Sequence, residues 1–89
     1  MEQYLISDIN ISASIAKLRK RADMTQNYVA IQLQTMGLNI SRSRLSMIEL
    51  GRLNVPVSML VALKIIFKCD YSCFFDGLEK TLESRQLQP

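Results

Sequence analysis

Residues 40–51, ISRSRLSMIELG, carry the start, the buried side and the stop of one helix in a single run. Leu45 and Ile48 are three positions apart, the step that puts two side chains on the same side of a helix. Ser41 stands where a hydroxyl can accept from an unpaired amide of the first turn, and Gly51 stands where a chain leaves a helix through the left-handed region. The stretch therefore predicts a helix over about residues 42–50. Its start crowds Arg42, Ser43 and Arg44 together, with Ser46 and Met47 following, away from the Leu45 and Ile48 side.

The same periodicity extends in both directions. Upstream, Ile11, Ile15, Leu18 and Ala22 mark one face of a first helix that begins at Asp8 or Ser12 and ends near Ala22, with Lys17, Lys20 and Arg21 opposite. Thr25 caps a second helix over residues 25–37, with Val29, Ala30 and Leu33 inward, Gln26 facing solvent in the first turn and Gly37 at the end. Downstream, RLNVP reads as a loop, because Pro56 disfavours a helical Val55. A fourth helix follows over residues 57–68, burying Leu60, Leu63, Ile66 and Phe67, with Lys64 and Lys68 on its other side. Asp70 reads as the N-cap of a fifth helix carrying Cys73, Phe74, Leu78 and Leu82. Residues 1–11 form an arm or a short extra helix, residues 12–78 the core of one domain, and residues 79–89 a polar tail. The expected fold is all-α, a compact five-helix bundle.

Composition narrows the function. A chain of 89 residues builds one modest core, and three Gly and two Pro leave few turns for a many-stranded sheet. There is no His, so a Ser or Cys nucleophile lacks its usual base; no Gly-rich phosphate loop or catalytic pair of carboxylates is legible either. The expectation is a protein that is not an enzyme and takes no cofactor. Cys69 and Cys73, four apart and without further ligands, do not make a metal site; half-buried thiols in a reducing compartment are expected. No window is apolar enough for a membrane helix and no leader segment is legible, so a cytoplasmic protein with no membrane partner is expected. Lys17, Arg19, Lys20, Arg21, Arg42, Arg44 and Arg52 face only Asp23 and Glu49, so this third of the chain holds the whole excess behind a net charge of +3. Such a surface attracts a polyanion, DNA or RNA first among them.

Taken in order, LRKRADMTQNYVAIQL and ISRSRLSMIELGRLNVP resemble the helix-turn-helix domain of the phage repressor and Cro type, the XRE-like or lambda-repressor-like family. The resemblance spans about residues 15–75: the Thr-Gln opening of helix two, Ala30 and Leu33 as packing positions, the SRS start and the IELG close of helix three. It departs from the family pattern between Leu33 and Ser41, where QTMGLNI adds about five residues, so helix two or the turn after it is lengthened. Asn39 in that insert is a possible extra contact.

The resemblance implies that helix three enters the major groove of DNA. By matching position Arg42, Ser43 and Met47 are the first base-contact candidates and Arg44 and Ser46 the second. A guanidinium can bond guanine O6 and N7 together, and a Met side chain can pack on a thymine methyl. Gln26 with Thr25, at the positive end of helix two, and Arg52 with Asn54, beyond helix three, match phosphate-contacting positions. Arg19 and Glu49 match a structural ion pair, and Tyr71, Phe75 and Leu78 match a dimer surface. The function implied is a sequence-specific double-stranded DNA-binding transcriptional regulator, a repressor or controller, acting as a homodimer. The alternative is a helix-turn-helix module that docks a protein partner, as an antitoxin or adaptor does. An acidic or apolar helix three would favour that alternative, and SRSR is polar and basic. Few aromatics accompany the basic face, which disfavours single-stranded RNA.

Overall fold

The computed structural model describes residues 4–5, 11–76 and 78. They are mostly helical, with α1 at Ser12–Arg21, α2 at Gln26–Thr35, α3 at Arg42–Glu49 and α4 at Val57–Phe67. A 3-10 helix, η1, spans Tyr71–Phe75. Two short strands, β1 at Tyr4–Leu5 and β2 at Val55–Pro56, pair antiparallel with Tyr4 opposite Pro56 and Leu5 opposite Val55.

Three expectations need correction. Residues 4–5 are a strand rather than part of an extra helix, and Val55–Pro56, read as loop, is its partner. Pro56 has no N–H to give a ladder, but its φ of −63° suits both the strand end and the entry to α4, so it ends one element and starts the next. The segment just after Asp70 is a 3-10 helix over Tyr71–Phe75 rather than the start of an α-helix, although Leu78 is α-helical. Asp70 is extended and its side chain makes no capping bond, and Cys73 N–H bonds Asp70 O at 3.0 Å, the tighter i to i+3 spacing. Four α-helices are thus present among the described residues. The remainder of the expected fifth helix, Leu78 apart, and the tail at 79–89 lie outside them, as does the alternative start of α1 at Asp8.

The core sits where the apolar spacing places it. Ile15, Val29, Leu33, Leu45, Ile48, Leu63 and Phe74 have no solvent exposure, and Ala30 has 2%, small enough for α2 and α3 to pack closely. Ile40, Val55, Met59 and Ala62 join them from positions the sequence left unassigned. α2 packs on α3 and α4, while α1 packs on α3 and η1, so α3 lies against both preceding helices with one side outward. Phe74 anchors η1 and meets Phe67 of α4 with ring centroids 6.5 Å apart.

All four helices end on a left-handed residue. After α2, Gly37 has φ +87°, its N–H bonds Gln34 O at 2.9 Å and Leu38 N–H bonds Leu33 O at 3.0 Å. That crossed pair satisfies carbonyls the helix end would leave open. Gly51 repeats it after α3 with bonds to Ile48 O and from Arg52 N–H to Met47 O, and Asp23 repeats it after α1. Lys68 holds φ +53° after α4. The residues between Leu33 and Ser41 therefore form turn more than helix. α2 stops at Thr35, and residues 38–40 run on to bury Ile40 beneath the start of the next cap.

Candidate nucleic-acid interface

α3 begins with Ser41 in extended conformation, its Oγ accepting from Arg44 N–H at 3.1 Å. That bond sets the direction of the first turn. Leu45 and Ile48 then hold the inner side at zero exposure, and the helix period turns Ser43 directly away from them. Arg42 and Ser43 are exposed, while Ser46 and Met47 are half-buried along the same outer side.

Arg44 occupies a different place. It is half-buried, and its Nη1 donates to Asn39 O at 3.0 Å, so the guanidinium is tied back to the turn. Gln34 of α2 donates from Nε2 to Ile40 O, also at 3.0 Å. Two adjacent carbonyls of the lengthened turn are thereby held by side chains from the two helices it joins. Asn39 itself is exposed beside the α3 start.

The far end of α3 is held by a salt bridge. Arg19 Nε donates to Glu49 Oε2 at 2.7 Å and its second terminal nitrogen, Nη2, to Glu49 Oε1 at 3.0 Å. The remaining nitrogen, Nη1, donates to Met24 O at 2.9 Å, closing the turn between α1 and α2. Both side chains are nearly buried, 11% and 6% exposed, and planar fork-on-carboxylate pairing fixes orientation as well as distance. Gln26, expected to face solvent, is half-buried instead, and its Nε2 donates to Glu49 Oε1 at 3.1 Å. A carboxylate at the end of α3 thus gathers α1 and the start of α2. No spacing signal could have found the Gln26 bond, because it depends on how α2 and α3 cross.

Thr25, exposed at the α2 start, accepts from Tyr28 N–H at 3.0 Å and keeps its hydroxyl proton for a further acceptor. Arg52 and Asn54 are exposed beyond Gly51. Leu50, on the outer side at the C-terminal end of α3, is 63% exposed, a feature the sequence did not single out. Tyr71 and Phe75 are each 43% exposed on η1, and Leu78 is half-buried. Lys64 Nζ lies 5.3 Å from the centre of the Tyr71 ring, a cation over an aromatic face. Among the described residues no group of three or more Cys, Asp or Glu could hold a metal ion, and no helix is long and apolar enough to cross a membrane. The chain matches no protein-family model, no curated protein and no solved structure.

Proposed function

We propose that this chain is a DNA-binding regulator of the phage repressor and Cro type, a lambda-repressor-like helix-turn-helix bundle that reads double-stranded DNA through α3 as a homodimer. One observation carries the reading. α3 is anchored at its C-terminal end by Arg19 and Glu49 and along its inner side by Leu45 and Ile48, while Arg42 and Ser43 at its N-terminal end are exposed. A rigidly held helix that offers donors and acceptors at its leading end suits recognition of base edges.

Within that reading Arg42, Ser43 and Met47 contact bases, and Ser46 lies beside them. Arg44, held on Asn39 O, orients the turn and leaves its charge near the backbone. Thr25, Arg52 and Asn54 approach phosphates, joined by Gln26 if its amide exchanges Glu49 for a phosphate oxygen. A second copy bound through Tyr71, Phe75 and Leu78 places two α3 helices on half-sites about one helical turn apart. The exposed Leu50 and Leu53 favour the alternative, a protein docked at the end of α3.

Selection of the purified chain against a random duplex library, repeated at two salt concentrations, separates the two readings. An inverted repeat recovered at both salts is the expected result. Recovery of no motif, with binding that vanishes as salt rises, overturns base reading and leaves the protein partner.

A further inference from the structure

Two thiols line one cleft at the junction of α4 and η1. Cys69 follows the left-handed Lys68, and its N–H bonds Lys64 O at 3.3 Å to finish α4. Cys73 sits in η1, tied by its N–H to Asp70 O. The chain reverses between them and brings both side chains to one open cleft, beside Lys64 and Lys68. Both are free and half-buried. Burial first, and then the neighbouring Cys73, push the Cys69 thiol above its ordinary pKa. Cys73 also lines a second cleft against α1, where Lys17 and Arg21 stand opposite Asp76.

We propose that Cys69 and Cys73 form a dithiol site that closes to an intramolecular disulfide on reaction with a low-molecular-weight anionic disulfide such as glutathione disulfide. Both thiols line the same cleft where the end of α4 meets η1, so the bond joins elements that already meet there. Cys73 is the attacking thiol, because it is reached from two clefts and because Lys17 and Arg21 attract the carboxylates of the reagent. Cys69 is the resolving thiol, since it lines the α4 cleft that Cys73 shares and not the α1 cleft beside Lys17 and Arg21.

The Cys73 thiolate attacks one sulfur of the reagent, whose S–S bond breaks and releases one glutathione thiolate. That leaving group takes up the proton Cys73 lost. The Cys69 thiolate then attacks the Cys73 sulfur of the mixed disulfide, and the second glutathione departs with the bonding electron pair and the proton from Cys69. Two protein thiols are oxidised and one disulfide is reduced to two thiols. The new bond fastens η1, with Tyr71 and Phe75, to the end of α4.

The test is intact-mass measurement of the folded full chain after exposure to glutathione disulfide, with a count of free thiols. The expected product is the monomer lighter by two hydrogens, with no free thiol and no attached glutathione, restored by dithiothreitol. The Cys69→Ser variant should stop at one glutathione adduct on Cys73. Stable adducts on the unaltered chain, a disulfide between two chains, or two thiols that persist unmodified would each overturn the proposal. So would a Cys69→Ser chain that takes up no glutathione. None of these outcomes depends on DNA binding.

Discussion

Single residues carry two separate kinds of demand here, one on chemistry and one on backbone. Arg42 is exposed at the first position of α3, where a planar guanidinium can reach two acceptors on one guanine. Arg42→Ala is expected to weaken binding to a selected site by about 1–3 kcal/mol and to relax one base position. Competition binding against specific and random duplexes checks it, and equal loss on both would remove Arg42 from base reading. The backbone demand shows at Gly37 and Lys68, both left-handed. A Cβ built on Gly37 meets nothing within 4 Å, so any cost of Gly37→Ala is conformational, about 1 kcal/mol. Lys68→Gly should shift stability the other way, by about 0.5–1 kcal/mol, because it relieves the same strain. Urea midpoints of the two variants moving in the same direction would contradict the argument.

Between elements, the angle of α3 is set by contacts at its two ends. Glu49 takes Arg19 and Gln26 at one end, and Asn39 and Ile40 are held by Arg44 and Gln34 at the other. Removing one partner of a nearly buried pair leaves a charge without its counter-charge. Glu49→Ala is therefore expected to cost about 3 kcal/mol, and Arg19→Met with Glu49→Leu together less than the sum of the two single changes. Thermal or urea unfolding of the four chains in a double-mutant cycle measures the coupling, and additive losses would show that the pair does not act as a unit. In the turn between α2 and α3, Gly37 closes α2 through crossed amide bonds and Ile40 is buried, so residues 36–40 form a defined bridge into the Ser41 cap.

At the scale of the whole molecule, the arginines at the two ends of α3 and the exposed aromatics of η1 lie on different elements. Arg42 and Arg52 flank α3, whereas Tyr71 and Phe75 lie on η1, which packs against α1. A bound copy can therefore cover η1 and leave α3 free for DNA. On the proposed interface, Phe75→Asp should abolish dimerisation in sedimentation while far-UV circular dichroism stays unchanged, since Phe75 is 43% exposed and the fully buried Phe74 anchors the segment in the core. A variant that still sediments as a dimer would refute the interface. If DNA is bound as proposed, with about five phosphates neutralised per copy, the logarithm of affinity should fall with the logarithm of salt at a slope of about −4 to −5 per copy. A slope near zero would point to a partner other than nucleic acid.

The sequence by itself determined the four α-helices, their caps at Thr25 and Ser41 and their glycine stops, because these depend on hydrogen bonds made within a few residues. It also determined most of the core, from Ile15 to Phe74, since helical spacing alone assigns a buried side. It misplaced what depends on partners far along the chain. The strand at Val55–Pro56 exists only because Tyr4–Leu5 lies beside it. The segment after Asp70 winds as a 3-10 helix where it docks on α1 by Phe74. Gln26 turned inward because the crossing of α2 and α3 brought Glu49 within reach, whereas Arg44 was drawn back to Asn39 O by the path of the turn just before its own helix. Local capping and periodicity are properties of short segments, whereas the direction of a long polar side chain is decided by whichever acceptor the assembled fold places nearest.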